Sequence, residues 1–214
     1  MGKTALLDYA AERGEGMTVV RAIGVEYEVE LQFSGLLELV RPLLEHLAEI
    51  PPQQADALKS ALGMAESQPH DRFTICAATL SLIAAAAEAN PLLILVDDAH
   101  WIDLATDDAL LFSAKRLVAD SVAILLAVRE GGERTFNAPA LEQVDLRKLG
   151  PEDAALILAG DEGRPVAADV ARRLCEATQG NPLALVELGG ILSAEQLAGR
   201  QALPDPVPAG PTLE

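Results

Sequence analysis

The sequence predicts an α/β fold, a parallel sheet flanked by helices, followed by a smaller all-helical region. Three observations predict it. Pro91-Leu92-Leu93-Ile94-Leu95-Val96-Asp97-Asp98 and Ser121-Val-Ala-Ile-Leu-Leu-Ala-Val128 are apolar runs without alternation, the pattern of strands buried on both faces. Segments of helical period separate the strand-like runs, which implies crossover connections in one layer. After Gly150 only short helical segments follow.

Thr18-Val19-Val20-Arg21-Ala22 is a short β-branched run ending near Gly24 and reads as a strand. Apolar residues at 36, 40, 43, 44 and 47 have helical spacing, and Pro42 starts or kinks a helix there. Pro51-Pro52 introduces a helix over Gln53–Leu62. Positions 73, 76, 77, 80, 83, 84 and 87 mark one apolar face of a long amphipathic helix from Arg72 to Ala89. A helix from Thr106 to Val118 has Thr106, Asp107 and Asp108 suited to its N-terminus. Gly131-Gly132-Glu133-Arg134 reads as a loop, and Val144–Leu149 as one more short strand. Pro151 with Glu152 and Asp153 opens the next helix, and Val166, Val170 and Leu174 mark the face of another. Gly180 ends that helix, and Asn181-Pro182 starts the last as N-cap and first residue. Pro204, Pro206, Pro208 and Pro211 make the end an extended linker. The expected division is therefore residues 1–149, 150–200 and a tail at 201–214.

Composition narrows the function. Half of the 214 residues are hydrophobic, enough for a packed core. Sixteen Lys+Arg against 33 Asp+Glu give a net charge of -17, which argues against nucleic acid as a direct partner. Aromatic residues make up 3%, too few for base-stacking surfaces. No run approaches about 18 apolar residues, so no membrane span is expected. The chain opens without an apolar leader segment. Cys76 and Cys175 stand far apart, without ligand neighbours, and suit small buried residues in a reducing cytoplasm. His46, His70 and His100 have no ligand spacing, and no nucleophile elbow of the form G-x-S-x-G is present.

Four segments carry candidate chemistry. Gly2-Lys3-Thr4 matches the last three positions of the phosphate-binding pattern G-x-x-x-x-G-K-[ST]. In such a loop backbone N–H groups wrap phosphate, Lys reaches the outer phosphates and the hydroxyl binds magnesium. Alone, the tripeptide is equally an ordinary helix start. Asp97 and Asp98 end a buried strand, where Asp97 would bind magnesium through water and Asp98 would orient or deprotonate the attacking water. Alternatively they are solvated acids in a strand-to-loop turn. Arg129 ends the next apolar strand and could stabilise phosphate charge, or simply neutralise Asp97 or Asp98. Gly180-Asn181-Pro182 is fully explained as a helix boundary. His100-Trp101-Ile102-Asp103 follows the acidic pair; Trp101 suits a packing anchor, and His100 reads as structural ahead of a proton-transfer role.

Taken in order, Gly2-Lys3-Thr4-Ala5-Leu6-Leu7, the segment Val25–Leu36 (Val-Glu-Tyr-Glu-Val-Glu-Leu-Gln-Phe-Ser-Gly-Leu), Val96-Asp97-Asp98-Ala99-His100-Trp101-Ile102-Asp103 and Gly180–Leu188 resemble the ATPase module of large LuxR-type transcriptional regulators. These are signal-transduction ATPases of the STAND class, in the AAA+-like branch of P-loop NTPases. The resemblance spans residues 1–203. It implies a P-loop NTPase-like sheet with a helical lid subdomain over 150–200. It further implies that Gly2, Lys3 and Thr4 end the Walker A motif, that Asp97 and Asp98 form the Walker B pair, that Arg129 is the sensor arginine, and that Pro182 belongs to a lid motif on the adenine side. ATP and magnesium are the implied cofactors, with Thr4 and Asp97 on the metal and slow hydrolysis resetting a switch. ATP or ADP, self-association and other protein domains are the implied partners.

Against the family pattern, Met1 falls where the residue before Gly-Lys-Thr belongs, so the Gly-rich loop and the central first strand are expected to be missing. No DNA-reading helix is expected after the Pro-rich end. The expectation is an incomplete version of a longer regulator, from a misplaced start codon or a gene remnant. The competing reading is a non-catalytic protein-interaction fragment that no longer binds nucleotide.

Overall fold

The computed structural model describes residues 2–65, 71–129, 138, 141–205 and 207. The expected loop at 131–134, His70, and Pro206, Pro208 and Pro211 of the tail lie outside the described residues. The described chain divides into an α/β unit, residues 3–143, and a helical unit formed mainly by residues 144–214.

In the α/β unit the elements are α1 (Lys3–Arg13), β1 (Thr18–Ile23), α2 (Ser34–Val40), α3 (Pro52–Ala61), α4 (Arg72–Ala89), β2 (Leu92–Asp97), α5 (Leu104–Ala114) and β3 (Val122–Leu126). The strands form a parallel sheet in the order β1-β2-β3. Thr18 pairs with Leu92 and Leu92 with Val122, so the three C-terminal ends lie along one sheet edge. Strand residues alternate between two faces. Val20, Ala22, Leu92, Ile94 and Val96 pack into the main core with α2, α4 and α5, whereas Leu93 and Leu95 join Leu7 of α1 on the opposite face. Cover on both faces explains why β2 is an unbroken apolar run.

The last strand departs from that expectation. Its exposure alternates, with Ala123 exposed and Leu125 41% accessible. These residues sit in register with Leu93 and Leu95, but α1 covers only the inner part of that face among the described residues. The sequence Val-Ala-Ile-Leu-Leu is apolar enough for full burial, but β3 is an edge strand of the described sheet and has less cover on this face than β2. A second correction concerns α4. Its buried residues include Ile75, Cys76, Thr79, Leu82, Ile83 and Ala86, while Phe73, on the expected apolar face, is 67% exposed. An Ala- and Leu-rich helix is apolar all round, so spacing does not select its buried stripe. This helix is long and apolar enough to cross a membrane by length and composition; here its buried residues belong to the main core. Burial of each such Leu or Ile contributes about 1.5–3 kcal/mol. Asp71 caps α4, and bonds from the Thr74 hydroxyl and N–H hold its carboxyl below the ordinary range. That contribution is present above the ordinary carboxyl pKa and is lost as pH falls through the lowered value.

The helical segment introduced by Pro42 is a 3-10 stretch, Arg41–Ala48, continuing from α2. Leu43 and Leu47 are buried as the spacing predicts.

The helical unit contains α6 (Pro151–Ala159), α7 (Ala168–Ala177), α8 (Pro182–Ile191) and the short α9 (Ala194–Leu197). Leu158, Leu174, Leu185, Leu188 and Leu197 form its core. The expected strand at 144–149 is absent. The Leu149 N–H instead donates to the Gly180 carbonyl at 3.1 Å, and the Cys175 thiol donates to the Leu149 carbonyl at 3.3 Å. These bonds tie the segment to the turn before α8, and Val144 is 79% exposed. Both cysteines are free and buried, and burial pushes the Cys76 thiol up.

Two glycines of this unit behave oppositely. Gly180 has φ +69, and a Cβ there would stand 2.5 Å from the Leu149 carbonyl oxygen, so the turn requires glycine. A Cβ at Gly190, within α8, would meet open space. Gly190→Ala is expected to stabilise the unit by about 0.5–1 kcal/mol, read as a higher urea midpoint. An unchanged or lower midpoint contradicts this.

Candidate functional site

The sheet edge at the C-terminal end of β2 collects the acidic pair. Asp97 is the last residue of β2, and its Oδ2 accepts a 2.5 Å hydrogen bond from the Thr4 hydroxyl. Thr4 stands in the first turn of α1, 93 residues away in sequence. The other carboxylate oxygen of Asp97 accepts from the Asp98 N–H at 2.9 Å. Lys3 begins α1, and Gly2 precedes it with φ +79. Neither Lys3 nor Arg129 has an ion-pair partner among the described residues. Arg129 lies three residues beyond β3 and is exposed, so it does not neutralise Asp97 or Asp98 here.

Asp98 has φ 44 and ψ 45, a left-handed conformation that asparagine and aspartate tolerate better than most residues. The surroundings enforce it. The Gly24 N–H donates to the Asp97 carbonyl at 2.8 Å, and the Ala99 N–H donates to the Ala127 carbonyl at 2.9 Å. A Cβ on Gly24 would fall 2.1 Å from the Asp98 carbonyl oxygen, so the loop after β1 passes directly against the acidic turn. A 3-10 turn, Ala99–Trp101, then buries His100, with the indole of Trp101 tilted against the imidazole at 5.2 Å.

Asp103 anchors this turn, a role the sequence reading did not assign. It is 2% exposed and caps α5 through the Thr106 N–H at 3.0 Å. It also accepts from the Thr106 hydroxyl at 2.5 Å, the Phe33 N–H at 2.8 Å and the Gly35 N–H at 3.2 Å. The Thr106 oxygen in turn accepts from the Leu36 N–H at 2.8 Å. One Asp-Thr pair thus satisfies donors at the starts of both α2 and α5. It also places the N-cap of α5 at Asp103, ahead of the expected start at Thr106. The signal was present: Asp103-x-x-Thr106 has the cap spacing. Gly35 fits because a Cβ there would stand 2.7 Å from Ile102 Cγ1.

Pro182 belongs to the helical unit, in the first turn of α8, where the Asn181 side chain accepts from the Leu183 N–H at 3.1 Å. A cleft of about 200 Å³ in that unit, bordered by Asp169, Arg173, Arg200 and Gln201, includes none of the predicted site residues.

A helix start bearing Lys-Thr is thus hydrogen-bonded to the acid-tipped middle strand of the described parallel sheet. Residues 1–126 match the AAA ATPase domain family. The chain belongs to the AAA ATPase domain family. No curated protein and no solved structure matches it. The match covers all three strands of this AAA ATPase domain, together with Gly2, Lys3, Thr4, Asp97 and Asp98, and stops before Arg129 and Pro182. AAA ATPase domains are nucleotide-binding modules; the parallel α/β sheet of this chain, followed by a separate helical region, is consistent with a P-loop NTPase.

Proposed function

We propose that this chain is the Mg-ATP-binding switch module of a LuxR-type, STAND-class regulator. The Thr4–Asp97 hydrogen bond carries the reading, because it sets two hard oxygen donors side by side where α1 meets the sheet edge. That donor set suits magnesium, with Asp97 acting directly or through water. The Lys3 ammonium and the free N–H groups of the first turn of α1 bind phosphate. Bound Mg-ATP supplies the phosphoanhydride and a divalent charge that offsets the paired carboxylates. Asp98, free of the bonds that occupy Asp97, orients water. Arg129 would stabilise phosphate charge, as the family resemblance implies. The regulator context rests on the order of the four sequence segments.

Isothermal titration of the full chain with Mg-ATP tests the site. Micromolar binding is expected, and Lys3→Ala is expected to weaken it more than 100-fold, roughly 3 kcal/mol. A folded protein that gives no heat favours a protein-interaction fragment instead. The switch is tested by sedimentation: Mg-ATP is expected to produce a larger species than Mg-ADP, and identical sedimentation overturns that part of the reading.

A further inference from the structure

We propose that His100 is a positioning residue for Asp98, its Nδ1–H holding the carboxylate in one orientation; the consequence for water rests on the nucleotide reading above. The His100 side chain is 4% exposed, and among the described residues its Nδ1 is buried without a hydrogen-bond partner. Buried imidazole nitrogens in native structures are satisfied, so an orphan aimed at a functional group calls for a partner. Asp98 Oδ1 lies 4.0 Å away. Closing that gap to about 2.8 Å needs a shift of about 1 Å, which rotation of the Asp98 side chain supplies.

The two sides of the pair differ in freedom. The imidazole is fixed by burial, by the Trp101 ring and by the Ala99–Ala127 backbone bond. The Asp98 side chain is 47% exposed, and among the described residues its carboxylate accepts no hydrogen bond. Asp97, by contrast, is already committed to Thr4 and to the Asp98 N–H. Of the two adjacent acids, only Asp98 is therefore available to be aimed, and the left-handed turn keeps it beside His100.

The test is nitrogen NMR on the full chain labelled with 15N-histidine, with His100→Phe identifying the His100 signals among the three histidines. A proton on Nδ1 is expected, and Asp98→Ala is expected to remove that signature. A bare Nδ1, or a spectrum unchanged by Asp98→Ala, overturns the pairing. This arm needs no nucleotide, so failure of Mg-ATP to bind would remove the functional reading while the pairing is still decided. With Mg-ATP, His100→Phe is expected to lower kcat about tenfold at unchanged KM. His100→Asn, whose amide can donate from near the Nδ1 position, is expected to recover most of that loss. Equal kcat in all three proteins overturns the positioning role.

Discussion

Asp103→Ala is expected to destabilise the α/β unit by about 3–5 kcal/mol. The carboxylate is buried and accepts from Phe33, Gly35 and Thr106 backbone N–H groups and from the Thr106 hydroxyl. Truncation strands donors at the starts of α2 and α5, and each buried donor left unmade costs about 1–3 kcal/mol. The loss falls short of the simple sum because some of these groups regain water. Asp103→Asn keeps the shape but turns an amide NH2 toward N–H donors, so an intermediate loss of about 2 kcal/mol is expected. Urea titration followed by circular dichroism measures both, through the midpoint at unchanged slope. A loss below about 1 kcal/mol for Asp103→Ala would mean that the α2–α5 junction is held by apolar packing alone.

Gly24→Ala is expected to cost about 3 kcal/mol or more and to weaken Mg-ATP binding in whatever fraction folds. The obstacle is space, since the added methyl would sit 2.1 Å from the Asp98 carbonyl oxygen and 3.0 Å from the Ile102 nitrogen. Both are backbone atoms, so no rotamer change relieves the clash. Relief requires moving β1 away from β2, which breaks the Gly24–Asp97 bond, or moving the Asp98 turn, which shifts Asp97 relative to Thr4. Denaturant midpoint and Mg-ATP titration on the same protein separate the two responses. A midpoint within about 1 kcal/mol of the parent, with unchanged binding, would show that the β1–β2 junction is softer than its packing indicates.

Legibility in the sequence followed the range of the interaction that made each feature. The central strand was legible because Leu92–Val96 lacks alternation, and the Asp97 that ends it could be placed at the sheet edge on that ground alone. The start of α8 was legible because Asn181 caps its own helix within two residues. The junction at Asp103 was read only as part of a motif, because its partners Phe33 and Gly35 lie 70 and 68 residues away. Segment 144–149 reads as a short strand, yet its backbone bonds run to Gly180 and Cys175. Local pattern sets a preference for extended chain, but a strand also needs a neighbour to complete its ladder.

By itself the sequence determined the α/β class, the succession of strands from β1 to β3 with helices between them, and the presence of Lys-Thr and a pair of acids at element ends. These depend on residue type and period within about a dozen positions. Tertiary structure alone decided that Thr4 meets Asp97, that β3 is half exposed, that α4 buries one stripe and not another, and that Gly24 must lack a side chain. Each of these is a contact between surfaces distant along the chain, and steric fit between such surfaces is a property of the packed layers, not of any one segment.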